Sequence, residues 1–163
     1  MPPYAESKET ITQAKLLEAL TSVSEDYCRY MTGGFSASPR NHLKAIGQFL
    51  TPSVIVDSMI HNCVKVARLN GKRTLRIIDP FCGDGRLLTS LLVALSASDI
   101  NPEKIDVIAW DIDNQIVDVA QKAINAIAKE LPFEISSQVV KTDAFNCDES
   151  LFAPFDICIT NPP

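Results

Sequence analysis

"TLRIIDPFCGDGRLL", Thr74 to Leu88, changes its rhythm twice within fifteen residues. "TLRIID" is a short run of aliphatic and β-branched residues and reads as a buried strand. "PFCGDG" reads as a tight turn, and "RLLTSLLVALSA" as an apolar helix. Gly83 and Gly85 allow the backbone to approach a ligand closely, and the helix that follows offers free N–H groups at its positive end. A dinucleotide fingerprint would need a third glycine where Leu88 stands, which weakens a nicotinamide-cofactor reading. Asp79, at the carboxyl end of the strand, suits a ligand carrying an ammonium group. A strand-to-helix turn without a ligand is the alternative.

The same alternation continues outward. "KIDVIAWDID" is a second strand, and Asp113 can cap a helix with Ile116, Val119, Ala120, Ala123, Ile124 and Ile127 on its inner face. Pro132 ends that region; a third strand lies around Ile135 to Lys141, and "FDICIT" is a fourth. Strands alternating with helices imply right-handed crossovers and a mostly parallel sheet with helices on both faces. Upstream, apolar residues in steps of three and four from Ile11 to Tyr30 predict a helix over 7–31, stopped by Gly33 and Gly34. After a loop through Ser38 and Pro39, Thr51 and Pro52 predict a second helix with Thr51 as N-cap, running to about Leu69. The expected organisation is a helical segment over 1–46 and one α/β unit over 47–163.

Composition is that of a globular protein: 163 residues, 46% hydrophobic and 21% charged, enough for one sizeable core. A net charge of −5 does not advertise a surface for nucleic acid or anionic membrane, and places any main phosphate-binding surface elsewhere. Cys28, Cys63, Cys82, Cys147 and Cys158 are odd in number and form no C-x-x-C pair, so neither a disulfide framework nor a zinc site is indicated. Reduced thiols suggest a cytoplasmic location. The apolar stretch from Leu87 to Ala97 is too short to span a bilayer, and "MPPYAESKET" lacks the pattern of a signal peptide. The basic cluster "NGKRTLR" reads as a solvated helix end, Cys82 as a packing residue, and His42 and His61 have no partner pattern.

Two further carboxylates follow the strands. Asp111, in "AWDID", is placed to accept both hydroxyls of a ribose, or else is a loop carboxylate facing water. Asp143, in "TDAF", could accept from an adenine amino group, or simply start a turn; Phe145 beside it could cover a purine face or belong to the core. Each carboxylate stands at the carboxyl end of a successive strand, where ligands bind in open α/β sheets. The order is ammonium partner, ribose partner, adenine partner, and S-adenosylmethionine fits it.

Here the chain resembles the N6-adenine DNA methyltransferases of restriction–modification systems. The resemblance rests on "GQFLTP", "DPFCGDG", "AWDID", "TDAF" and "NPP" in that order, over residues 40–163. It implies a Rossmann-like methyltransferase fold that binds S-adenosylmethionine. By resemblance, Phe49 and Thr51 would lie near the methionine part of the cofactor and Asp79 would hold its amino group. Phe81, Gly83 and Gly85 would belong to the cofactor loop, and Asp111 with Ile112 to the ribose site. Asp143 and Ala144 would meet the adenine of the cofactor. Asn161, Pro162 and Pro163 would form the catalytic loop facing the target base. Asn161 and the carbonyl after it can accept from both N–H groups of an exocyclic amine, drawing its lone pair out of conjugation, while the prolines stiffen the loop. The base would first leave the duplex stack.

The resemblance also implies a larger sheet in which the fourth strand is central, an aromatic residue after "NPP", and a target-recognition domain. It therefore suggests an amino-terminal part of a longer enzyme, inactive alone. Its partner would be double-stranded DNA, gripped mostly by other regions, with a C-terminal half or specificity subunit completing it. Related loops also act on protein glutamine and on ribosomal RNA guanine, and a non-catalytic module completed by a partner chain is a third reading.

Overall fold

The computed structural model describes residues 51–67, 69, 71–147 and 154–163, together with Glu18, Ala19 and Val23. The expected first helix therefore lies outside the described residues apart from those three, as do the 46/47 boundary and Phe49. The elements are α1 (Ser53–Val66), β1 (Thr74–Asp79), α2 (Arg86–Ser96), β2 (Lys104–Asp111), α3 (Asn114–Ala128), β3 (Glu134–Lys141) and β4 (Ile157–Cys158). The four strands are parallel in the order β3-β2-β1-β4.

The register explains the core. Pairing aligns Ile77 with Val107 on one side and with Ile157 on the other. Side chains alternate across a sheet, so Leu75, Ile77, Ile105, Val107 and Ala109 face one way. All five are buried, against Leu88, Leu91, Leu92 and Leu95 of α2 and Ala120, Ala123, Ile124 and Ile127 of α3. Helix α2 packs on both α1 and α3, which is why it is apolar around most of its circumference. Helix α3 contacts β2 and β3 and keeps a polar outer face.

The expectation of helices on both faces is not met among the described residues. Both crossovers, β1 to β2 and β2 to β3, run the same way across the sheet, so α2 and α3 share one face and touch. The opposite face carries Arg76, Asp106, Ser136 and Gln138 beside Ile78, Ile108 and Trp110. Only after β3 does the chain reverse direction, passing back beyond β1 to place β4 on its far side. That reversal makes the carboxyl ends of β1 and β4 the topological switch point.

Three local expectations need correction. The second predicted helix ends at Val66 rather than near Leu69, and its N-cap is Pro52, whose carbonyl accepts from Ile55 N and Val56 N at 3.0 Å. Thr51 stands one residue before that cap. The basic cluster is not a helix end: Lys72 pairs with Asp156, and Arg73 donates to Glu103 at 2.7 Å. Burial works against the Asp156 carboxylate, but Lys72 and the Arg76 amide at 2.8 Å hold its pKa below the usual carboxylate range. These pairs join the segments entering β1, β2 and β4 at the amino end of the sheet. No described helix is long and apolar enough to cross a membrane.

Candidate functional site

The loop after β1 is built by its glycines. Gly83 and Gly85 hold φ of 51° and 83°, a region costly to residues with a Cβ. Gly85 is also pressed on α3: a Cβ there would lie 3.1 Å from Ala120 Cα. Gly83 faces open space, where a Cβ would meet nothing within 4 Å. The loop is tied down by Cys82 N donating to Trp110 O at 2.8 Å and Gly85 N donating to Cys82 O at 2.9 Å. It delivers the chain to the N-terminus of α2, whose first N–H groups give the positive end of a helix dipole.

Asp79 is fully buried at the end of β1. Its Oδ1 accepts from Phe81 N at 3.1 Å, but Oδ2 has no hydrogen-bond partner among the described residues, and neither does the buried Oγ1 of Thr160. Burial raises the Asp79 pKa to about 7; the Phe81 amide and the nearby Thr160 hydroxyl oppose the rise, and the negative charge of Asp111 adds to it. Thr160 thus lies near enough to favour the carboxylate without completing a bond to it. A buried acid and a buried hydroxyl, both unsatisfied, meet at the switch point. Such a pair suits a ligand that brings donors and positive charge. The adjacent Cys82 thiol is pushed up by burial and by the charges of Asp79, Asp111 and Asp84, consistent with a packing role.

Asp111 closes the other side of the loop. Its Oδ2 accepts from Gly83 N and its Oδ1 from Asp113 N, both at 3.0 Å, so one carboxylate ties the glycine loop to the start of α3. Each oxygen keeps a further lone pair for an outside donor. Ile112 beside it is 60% exposed. Asp113 caps α3 through Gln115 N at 2.9 Å, as expected from the sequence.

The third strand's loop differs. Asp143 is exposed, with Oδ1 taken by Phe145 N at 3.0 Å and Oδ2 by Asn146 Nδ2 at 2.5 Å, a turn held by its own first residue. No described hydrogen bond joins Asp143 to Asp79 or Asp111. Ala144 is half-buried in that turn. Phe145 is not core: it is 78% exposed and meets Phe81 with ring centroids 5.3 Å apart at 51°. The two rings bring the loops after β1 and β3 together at the same end of the sheet.

Beyond β4, Asn161, Pro162 and Pro163 are all exposed. Asn161 Nδ2 donates to Thr51 Oγ1 at 3.0 Å, joining "NPP" to "GQFLTP" across 110 residues of sequence. Thr51 itself is buried. The switch point therefore gathers Asp79, Gly83, Asp111, Thr160, Asn161 and Thr51, while Asp143 and Ala144 sit on a neighbouring loop. Phe49 lies outside the described residues.

Two features escape a reading of the sequence. Thr160 gave no signal besides its place before "NPP". Asp84 and Arg86 form a buried ion pair inside the glycine turn, with Arg86 Nε 2.8 Å from Asp84 Oδ1. Charges two residues apart ordinarily read as solvated, and only the tightness of a G-x-G turn could have suggested otherwise. A cleft of about 210 Å³ lined by Ser96, Ser98, Asp99, Ile100, Asn101, Pro132 and Phe133 opens near the starts of β2 and β3, away from these residues.

Residues 35–163 match the family described as N-6 DNA methylase. Among curated relatives, the uncharacterized protein MG259 of Mycoplasma genitalium is 29% identical over 115 residues, which are 71% of this chain and 22% of that protein. Among solved structures, a Listeria monocytogenes protein provisionally described as a class I S-adenosylmethionine-dependent methyltransferase superposes with a TM-score of 0.50. It is 17% identical, and the match covers 87% of this chain and 40% of that one. The likeness establishes a shared Rossmann-like fold, and the chain spans well under half the length of either protein.

Proposed function

The chain belongs to the N-6 DNA methylase family, and from that premise we propose that it forms the cofactor-holding part of an enzyme methylating the N6 amine of adenine in double-stranded DNA. The observation that carries the proposal is the unsatisfied Asp79 Oδ2, fully buried at the switch point. The residues present suit S-adenosylmethionine: Asp79 and Thr160 would take its ammonium group, and Asp111 its ribose hydroxyls. The open space at Gly83 leaves room for backbone to approach it. Ile112, Phe81 and Phe145 offer exposed apolar surface for its adenine, with Asp143 and Ala144 at the rim. Phe49 would border its methionine end.

When bound, S-adenosylmethionine supplies a methyl group on a positively charged sulfur, open to in-line attack. The chain's own part is to prepare the attacking amine. Asn161 Oδ1 and the Pro162 carbonyl accept from its two N–H groups, so that nitrogen gains lone-pair density as it loses conjugation with the ring. Pro162 and Pro163 limit the motion of both acceptors. Burial of Asp79 strengthens its attraction for an ammonium group by keeping water away.

A net charge of −5 favours a division of labour in which other segments of the longer protein, or a specificity subunit, grip the DNA phosphates. The test is incubation of the full-length protein with duplex DNA and S-adenosylmethionine carrying an isotopic methyl group, followed by nucleoside digestion and mass spectrometry. Labelled N6-methyladenine is the expected product. Label confined to ribosomal RNA guanine or to protein glutamine, or absent throughout, would overturn the proposal.

A further inference from the structure

The Asn161 side chain is exposed, yet its amide is anchored to a buried hydroxyl: Nδ2 donates to Thr51 Oγ1 at 3.0 Å. An Asn amide has two ends of opposite character, a donor NH₂ and an acceptor oxygen. Only the acceptor end can take a hydrogen from an attacking amine; the donor end would turn against it. Free rotation about the last side-chain bond would present either end, because such terminal torsions are broad and roughly two-fold. Thr51 is rigid where Asn161 is not. It is β-branched and buried, and Pro52 follows it, with the first turn of α1 hydrogen-bonded to the Pro52 carbonyl.

We propose that Thr51 is a positioning residue: it holds the NH₂ end of Asn161 and thereby turns Oδ1 outward toward the substrate amine. This role rests on the methyltransferase reading of the loop but goes beyond it, since Thr51 then serves the catalytic Asn161 rather than the cofactor. The segment before α1 and the loop after β4 become one device, assembled only when the sheet has formed.

The test uses the full-length protein with Thr51→Val, which keeps the shape and removes the hydroxyl, and Thr51→Ser, which keeps the hydroxyl. Thr51→Val should lower kcat about tenfold, the worth of one lost hydrogen bond near the upper end of its usual range, and leave KM for S-adenosylmethionine within about twofold. Thr51→Ser should restore kcat to within about threefold of the parent. In an Asn161→Ala background, Thr51→Val should change nothing further, because the group it positions is gone. A fall in cofactor affinity with kcat preserved, or independent multiplicative losses in the double variant, would overturn the proposal. A separate readout stands apart from catalysis: hydrogen exchange of the Asn161 side-chain NH₂, followed by NMR on the chain itself. Exchange should be slow in the parent and in Thr51→Ser alike, and fast in Thr51→Val. Equal exchange in all three refutes the anchor even if methylation is observed; slow exchange with no methylation keeps the anchor and rejects the proposed reaction.

Discussion

Replacing Gly85 by alanine isolates how the glycine loop is pressed against α3. Two costs are expected there. A non-glycine residue at φ 83° pays about 1–2 kcal/mol for its backbone conformation. The added Cβ would also stand 3.1 Å from both Cα and Cβ of Ala120, and Ala120 is fully buried in a packed helix that cannot yield freely. Overpacking of that kind costs about 1–3 kcal/mol, so Gly85→Ala should destabilise the fold by about 2–5 kcal/mol in all. Gly71 supplies the control, because it has φ 80° and an added Cβ would meet nothing within 4 Å. Gly71→Ala should therefore cost only the backbone part, about 1–2 kcal/mol. Urea denaturation followed by circular dichroism measures both variants, and their difference reports the contact with α3 alone. Equal losses for the two would refute the claim that the loop is wedged on Ala120. Gly83→Ala adds a third comparison: it too has open space, so its stability loss should match that of Gly71→Ala, while its cofactor affinity should fall.

Other outcomes follow from the charged groups. Asp79 has a folded pKa of about 7 against an ordinary value of 3.8, so the protonated acid favours the fold. Stability from this group is fully present below about pH 4 and is lost as pH rises through about 7; thermal melts should show that decline in the parent and a flatter profile in Asp79→Asn. Cofactor binding should run the other way, tightening as Asp79 ionises near pH 7 and weakening once an α-amino group of pKa about 7.7–8.0 loses its proton. Arg86→Met leaves the Asp84 carboxylate buried without its partner, at a cost of about 3–5 kcal/mol. Pairing it with Asp84→Leu should recover much of that loss in the same denaturation assay. Asp111→Ala removes the acceptor for both Gly83 N and Asp113 N, so calorimetry should find weaker cofactor binding and melts a less stable loop; an unchanged dissociation constant would contradict the assigned ribose role.

Much of the fold is legible because its strands carry their own boundaries. "TLRIID" is β1 residue for residue, and "KIDVIAWDID" contains the whole of β2. Periodicity likewise marks the buried side of α3, and Asp113 caps it. The fourth strand is shorter than "FDICIT" suggests: only Ile157 and Cys158 are strand residues in register with β1, while Asp156 N and Ile159 N extend the contact with bonds to Arg76 O and Ile78 O. Apolar rhythm tells that a segment is buried, not how many neighbours it will find. The side of the sheet taken by each helix depends on strand order, which local pattern does not contain. For the site, glycines and strand-end carboxylates are visible because their positions have geometric meaning. Thr51 looks like a helix cap by its local context, yet its hydroxyl accepts from a side chain 110 residues away. The buried state of Asp84 and Arg86, and the exposure of Phe145, are likewise tertiary facts: each side chain's surroundings come from segments distant in sequence.

In the proposed site, the unsatisfied Asp79 carboxylate at the switch point receives the ammonium group of S-adenosylmethionine. Calorimetric titration of the chain with S-adenosylmethionine and with 5′-methylthioadenosine, which lacks the amino-acid arm, tests it most directly, on the parent protein and on Asp79→Asn. One binding site in the parent is expected, with much weaker binding of the arm-less ligand and loss of that preference in Asp79→Asn. No binding to the parent, or the same preference with and without the Asp79 charge, would contradict it.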